Sequence, residues 1–118
     1  MAELVEKPTR VPVPGGKLID EYVGRVNTGD ATVSVAHMVA PGGWTEPFQA
    51  PEFDEVTLVL RGVVRVEHGG GTLDVRAGEA VLTAAGERVR YSTPDPDGAE
   101  YVAICLPAFT PDLAHRDQ

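Results

Sequence analysis

Residues 43–62 read Gly-Trp-Thr-Glu-Pro-Phe-Gln-Ala-Pro-Glu-Phe-Asp-Glu-Val-Thr-Leu-Val-Leu-Arg-Gly. The run 56–60 within this stretch is apolar at every position except Thr57, so a strand formed here has two apolar faces. A strand of this kind is covered on both sides. In a barrel, we expect one face to look into the lumen and the other to pack on a second layer or on another subunit.

The rest of the chain is divided by ten prolines and thirteen glycines into short segments. Short, evenly spaced β-rich runs of this kind predict an all-β sandwich or barrel. The eight runs are 17–23, 31–39, 55–60, 63–67, 72–76, 80–83, 88–92 and 101–106.

Two local signals lie outside the strand pattern. Three consecutive glycines at 69–71 join two β-rich runs and predict a hairpin, because glycine adopts the positive φ angles of a tight turn. Thr110 followed by Pro111 is typical of a helix start and leaves two readings open, a single terminal turn or a frayed tail.

Size, charge and cysteine content restrict the possible classes of protein. A chain of 118 residues forms one domain, and its formal net charge of −8 argues against a nucleic-acid partner. The N-terminus lacks the apolar segment of a signal peptide, and no run is long enough to span a membrane, so we expect a cytoplasmic protein without a membrane partner. The single Cys105 lies in an apolar run and is predicted to be buried and unreactive.

The spacing in two segments resembles the cupin family. The first cupin motif, G-x5-H-x-H-x3-4-E-x6-G, is matched by Gly43, Glu55 and Gly62. The second, G-x5-P-x-G-x2-H-x3-N, is matched by Gly78 and Gly86. The Glu-Phe-Asp-Glu stretch at 52–55 and the pattern at 86–92 are similar to those of cupins related to the ethanolamine-utilisation protein EutQ.

The resemblance implies an all-β, single-domain cupin, a double-stranded β-helix or jelly-roll barrel, over residues 1–118. Residues 1–16 are predicted to form an N-terminal arm that can be exchanged between subunits, and residues 108–118 a C-terminal tail.

Most metal-ligand positions implied by this resemblance carry side chains that bind metal poorly. They are occupied by Gln49, Pro51, Glu55 and Val89, and a transition metal usually has three or four protein ligands. We therefore expect no cofactor. The alternative is a weakly bound divalent metal at an oxygen-rich site formed by Glu55, Gln49 and His37. A one-residue shift of register remains open, and would place Phe48 and Ala50 at the two histidine positions.

Three residues are candidates for catalysis. Glu55 occupies the inward position of the family motif, where burial of a carboxyl raises its pKa and suits it to acid or base chemistry. Tyr91 lies two residues after Val89 and shares its face, as either a proton donor or a rim aromatic. His37 either faces the lumen as a partner of Glu55 or faces outward as a structural histidine.

A second group is predicted to line the substrate pocket. Glu46 and Gln49 lie between two prolines that restrict the backbone, and Trp44 is either a pocket lid or an interface residue. The predicted substrate-binding residues are Gln49, Glu46, Trp44, Phe48 and Val89.

Three functions remain open from the sequence. The first is a small-molecule-binding cupin that acts as a metal-independent acid/base enzyme, of isomerase, lyase or cyclase type, with Glu55 in the lumen. The second is a divalent-metal-dependent oxygenase or lyase, and the third is a non-enzymatic sensor or accessory protein. We also expect a homodimer, formed through apolar outer strand faces and the proline-rich arm.

Overall fold

The computed structural model describes residues 2–117, and nearly all of its regular structure is β-strand. The nine strands are β1 (Thr9–Val11), β2 (Leu18–Val23), β3 (Ser34–Ala40), β4 (Trp44–Thr45), β5 (Asp54–His68), β6 (Gly71–Arg76), β7 (Ala80–Thr83), β8 (Arg90–Thr93) and β9 (Ala99–Leu106). A single helical turn, α1 (Pro111–Ala114), follows them.

All strand pairings are antiparallel, and together they form one curled sheet. The strand order is β1-β2-β3-β9-β5-β8-β4, with β6 and β7 also paired to β5. The sheet curls into a single-domain jelly-roll barrel, as predicted. The observed strands include all eight predicted runs and add the short β1 and β4.

The predicted runs 55–60 and 63–67 are one continuous strand, because Gly62 bends β5 instead of ending it. Gly62 has a φ of 80° and its Cα approaches the carbonyl oxygen of Gly98 so closely that a Cβ would lie 2.2 Å from it. The register with β9 slips between Val59 and Arg61. The extra residue in β5 reverses the alternation of its side chains between the two faces of the sheet. Val59 therefore faces inward before the slip, and Val64 faces inward after it.

The inner face of the barrel carries the buried core. Its centre is formed by small and branched residues together with two tyrosines: Ala40, Val59, Val64, Val66, Val75, Val89, Tyr91, Ala99 and Tyr101. A second cluster, formed by Phe53, Cys105 and Ala114, closes one end. Cys105 is buried, as expected, and burial raises the pKa of its thiol.

The outer face of β5 and its neighbour β7 is only partly covered by the described residues. Leu58, Leu60 and Leu82 are 39%, 47% and 70% exposed. The expectation of a strand covered on both sides therefore holds within this chain only for the inner face.

β1 and the C-terminal turn both contact the barrel. β1 pairs with β2 of its own chain, and the exchange of the arm between subunits remains a prediction. Thr110 precedes a turn that begins at Pro111, so the C-terminal segment contains a helical turn and not a frayed tail. The Phe109 ring packs on the edge of Phe53, with 5.8 Å between the ring centroids. No helix among residues 2–117 is long and apolar enough to cross a membrane.

Gly62→Ala tests the bend in β5. A Cβ at a φ of 80°, only 2.2 Å from the Gly98 carbonyl oxygen, forces the strand to shift, so we expect the free energy of unfolding to fall by about 2 kcal/mol or more. Gly69→Ala is the matched control, because a Cβ there meets no atom within 4 Å and the expected change is below about 0.5 kcal/mol. Urea unfolding of both variants measures the difference. Equal stability of the two variants contradicts the assignment.

Candidate functional site

The barrel encloses a cavity of about 300 Å³. Its wall is mostly apolar, with a small number of ionisable and hydroxyl groups, which is the usual character of a small-molecule site. The polar residues of the wall include Lys17, Glu46, Gln49, Glu55, Tyr91, Tyr101 and Arg116.

Glu55 lies in the cavity wall on β5, where it pairs across the sheet with Thr83 of β7 and Cys105 of β9. Its side chain is nearly inaccessible to solvent. Burial, followed by the negative charge of Glu46, raises the pKa of Glu55 to about 7. The cations Lys17 and Arg116 oppose this shift. A carboxyl group with a pKa close to neutrality can both accept and return a proton.

Tyr91 lies beside Glu55 on the inner face, as strand parity predicted. Its hydroxyl shares a hydrogen bond of 2.9 Å with the Thr83 hydroxyl, which holds the phenol in the cavity wall. Burial and the Glu55 charge raise the pKa of Tyr91 far above its usual value. The phenol therefore stays protonated and acts as a hydrogen-bond donor at any physiological pH.

Gln49 and Glu46 both line the cavity, which decides the open register. The backbone of Gln49 pairs with Val89 in both directions, at 2.9 and 2.8 Å, and its side-chain oxygen accepts a hydrogen bond from Arg116 Nε at 3.2 Å. Burial raises the pKa of Glu46, and its Oε2 atom has no hydrogen-bond partner among the described residues. Gln49, and not Phe48 or Ala50, faces the lumen.

His37 is not brought together with Glu55. It lies on the outer face of β3, where its Nε2 atom is 2.6 Å from Glu100 Oε2 and its side chain remains partly exposed. The luminal reading of His37, as a base or as a metal ligand, is therefore corrected to an outward-facing histidine paired with a surface carboxylate. The inner face of β3 is formed by Ser34, Ala36 and Met38 instead.

The other predicted pocket residues are distributed differently. Phe48 faces outward, with the guanidinium groups of Arg88 and Arg90 at 4.7 and 4.6 Å from its ring centroid. Val89 is buried in the core and does not contribute to the wall of the main cavity. Trp44 lines a smaller depression adjoining the cavity, so of these three only Trp44 is close to the site.

Among the cavity residues missed from the sequence are Lys17, Tyr101 and Arg116. Side chains two residues apart on a strand lie on the same face of the sheet. Lys17 therefore shares a face with Ile19, and Tyr101 shares a face with Cys105, so this alternation could have indicated Lys17 and Tyr101. Arg116 had no such signal, because it follows the helical turn and reaches the cavity only through the folding of the tail.

The comparison with family models decides the classification. The model of the cupin domain matches residues 35–105. The chain belongs to the cupin family. This match covers nearly all of the path from β3 to β9 and includes Glu55 and Tyr91, whereas Lys17 and Arg116 lie outside it.

A curated relative of this cupin is the endoribonuclease YbeY of Myxococcus xanthus (strain DK1622). The two sequences are 42% identical over 113 residues, which cover 96% of this chain but only 38% of that protein. The chain therefore spans well under half the length of the relative, and the name of the relative describes the longer protein.

Solved structures with the same fold share little sequence with this cupin. Pac13 of Streptomyces, described as a nucleoside dehydratase, has a TM-score of 0.77 at 16% identity, covering 100% of this chain and 91% of Pac13. A candidate ethanolamine utilization protein Q of Salmonella typhimurium LT2 has a TM-score of 0.66 at 22% identity, covering 79% and 71%. An RmlC-like cupin of Shewanella frigidimarina NCIMB 400 has a TM-score of 0.74 at 15% identity, covering 90% and 89%. At these identities the likeness establishes the fold alone.

The cupin motifs imply a metal centre, but the residues at its positions do not fit one. Gln49 and Glu55 offer oxygen atoms, whereas Pro51 and Val89 offer no donor. Within residues 2–117, no cluster of three His, Cys, Asp or Glu side chains has the geometry to hold an ion. The donor set is too small for a transition metal.

Glu55→Gln tests the burial of the carboxyl through the pH dependence of stability. Because folding raises this pKa from 4.5 to about 7, the contribution of Glu55 is most favourable below about pH 4.5 and is lost as the pH rises through about 7. Glutamine carries no charge at any pH. The variant should therefore gain stability relative to wild type between about pH 5 and 8, with an upper limit of about 3 kcal/mol.

Urea unfolding of wild type and Glu55→Gln at about pH 5 and at about pH 8 measures this gain. Glu3→Gln, at an exposed position, is the matched control. A stability difference between variant and wild type that is independent of pH is incompatible with a buried Glu55.

Proposed function

We propose that this cupin binds a small organic molecule in its cavity and acts on it as a metal-independent acid/base enzyme of the lyase type. The observation that carries the proposal is the nearly inaccessible Glu55 carboxyl, with a pKa of about 7, beside the neutral phenol of Tyr91. The dehydratase description of Pac13, whose fold covers this whole chain, supports the choice of lyase among the acid/base reactions.

The proposed reaction is an elimination of water. The Glu55 carboxylate takes a proton from a carbon atom of the substrate, and the C–H electron pair forms a carbon–carbon double bond as the neighbouring C–O bond breaks. The departing hydroxide takes the proton back from Glu55 and leaves as water, which restores the carboxylate. The Tyr91 hydroxyl donates a hydrogen bond to a substrate oxygen and orients it.

Each protein group has a defined state in this scheme. A Glu55 pKa close to neutrality keeps a useful fraction of carboxylate ready to accept the proton and makes the protonated form a competent donor. The poor metal donor set of Gln49, Pro51, Glu55 and Val89 favours a reaction carried by side chains. The oxygenase alternative has no comparable support from the residues present.

Glu55→Gln is expected to abolish proton abstraction while ligand binding is retained. The readout is loss of one water from hydroxyl-bearing compounds including uridine, together with the deuterium that the reverse addition of D₂O places on the same carbon, both followed by NMR and mass spectrometry. Loss of activity by a factor of about 10² or more is expected, which is typical for removal of a general base. Tyr91→Phe should reduce the rate less severely, because it removes only an orienting hydrogen bond.

Glu3→Gln is again the control and should match wild type, because Glu3 is exposed on the arm. Full deuterium exchange by Glu55→Gln contradicts the assigned role of Glu55. A wild type that binds compounds but neither dehydrates them nor exchanges their protons supports the second candidate below.

The second candidate is a ligand-binding sensor or accessory domain. It is favoured by the Myxococcus relative, in which the matched segment makes up only 38% of the protein. In this case the cavity binds a ligand without turning it over. Ribonuclease activity is not proposed for this chain, because a net charge of −8 repels the phosphates of RNA.

We further propose a homodimer formed through the outer face of β5, β7 and β9. Cross-strand pairing places the apolar Val56, Leu82 and Ile104 side by side, and Leu58 and Leu60 extend the same face. Contiguous exposed apolar side chains of this kind usually pack against another surface.

Leu60→Glu combined with Leu82→Glu should therefore convert the dimer to a monomer in sedimentation equilibrium, with the cavity intact. Leu73→Glu, an exposed leucine on β6, is the matched control and should leave the mass unchanged. A concentration-independent monomer mass for the wild-type protein refutes the dimer.

A further inference from the structure

Lys17 is the cavity residue that the proposed acid/base scheme does not use. It precedes β2 and lines both the main cavity and the adjoining depression. Its Nζ atom lies 4.1 Å from the centroid of the Trp44 ring and 5.4 Å from that of Tyr101. Two aromatic faces stabilise the charged ammonium form and fix its position.

The ammonium has no hydrogen-bonded or ion-paired partner within residues 2–117. Only longer-range attraction links it to the carboxyls Glu46 and Glu55, and its pKa falls to about 8 because burial outweighs that attraction. At neutral pH most of the population is still charged. No hydrogen-bond acceptor among the described residues therefore competes with a ligand for the ammonium hydrogens.

Two further polar atoms beside the cavity are also without partners among the described residues. They are the hydroxyl oxygen of Tyr101, a residue only 3% exposed, and Glu46 Oε2. Buried polar atoms without partners are unfavourable, so a site that presents several of them is suited to a ligand that satisfies them together. Lys17 and Tyr101 can donate to one oxygen-rich group, and Glu46 can accept from a hydroxyl.

The sheet register separates the backbone of Tyr101 from that of Glu55. Tyr101 pairs with Val59 on β5, whereas Glu55 pairs with Cys105, so the two positions are four residues apart along β9. At about 3.3 Å per residue, this is about 13 Å of strand. Ala103 lies between them and leaves space for the body of a ligand.

The charge balance of the cavity permits an anion. Three carboxyls and two cations line the cavity. Lys17 and Arg116 offset Glu46 and Glu55, whose protonated forms are favoured by burial, and Glu21 accepts hydrogen bonds from two backbone N–H groups. Each proton taken up there makes the cavity more positive. An anion can therefore enter this site even though the chain as a whole carries a charge of −8.

We propose that Lys17, together with Tyr101, binds a carboxylate group of the substrate at the end of the cavity away from Glu55, while Glu46 accepts a hydrogen bond from a neighbouring substrate hydroxyl. The substrate class is a hydroxycarboxylate with an apolar or ring-shaped body. This inference deepens the proposed function, since it names the substrate class for the same cavity. Lys17 is its specificity-determining residue, and the anion is bound apart from the reacting bond.

The experiment compares two matched probes by isothermal titration calorimetry. They are 3-phenyllactate and 3-phenylpropane-1,2-diol, which differ only in that the acid has a carboxylate where the diol has a hydroxymethyl group. We expect the wild type to bind the acid more tightly by a factor of about 10 to 100, the range for a charge-assisted hydrogen bond. Lys17→Met and Lys17→Gln should bind the two probes equally, and Lys17→Arg should keep part of the preference.

The remaining variants separate this inference from the proposed function. Glu55→Gln should keep the full preference for the acid, because it leaves the cation in place, whereas it should abolish deuterium exchange. If Lys17→Gln loses the preference while Glu55→Gln still exchanges deuterium, the acid/base role fails and carboxylate recognition is upheld.

Three outcomes overturn the inference. The first is a wild type that does not prefer the acid, including one that binds neither probe. The second is a Lys17→Gln protein that keeps the preference, and the third is a Glu55→Gln protein that loses it. Should Lys17→Met fail to fold, as judged by near-UV circular dichroism, Lys17→Gln and Lys17→Arg still decide the result.

Discussion

Strand β5 is the constraint on which the rest of the structure depends, because it pairs with four other strands, β6, β7, β8 and β9. The bend at Gly62 allows one strand to serve both halves of the barrel. The change of inward parity at the same point places Glu55 in the cavity and Val64 in the packed core. A chain without this slip would direct one of the two halves of β5 to the wrong face.

Fold and site were predictable from the sequence to different degrees. Strand cadence and motif spacing predicted the barrel, and parity within a strand placed Glu55 and Tyr91 on the inner face. The inward face of β3 was not predictable, because the β-branched Val35 and Val39 face outward while the small Ser34 and Ala36 face in beside Met38. The small inner residues Ser34 and Ala36 leave room for a cavity, so the face with more branched apolar residues is not the inner one.

The missed residues differ in how far the sequence could have indicated them. Arg116 approaches Gln49 because α1 and the preceding segment return the chain to the barrel, an arrangement set by packing of Phe109 and Ala114 around Phe53. Tertiary contacts of this kind between distant segments leave no local pattern. Lys17 shares the alternation of its strand, but only the folded chain brings the aromatic rings of Trp44 and Tyr101 around its ammonium.

The cavity wall includes residues 11–14, which form the end of β1 and the segment that follows it and do not belong to the strands that hold Glu55 and Tyr91. Pro12 and Pro14 have no backbone N–H to pair, so this part of the wall is not tied into the sheet by ladder hydrogen bonds at those positions. Its sequence and length can therefore vary during evolution with little effect on the barrel. A duplicated gene could acquire a new ligand range by altering this terminal segment while the proton-transferring residues stay in place.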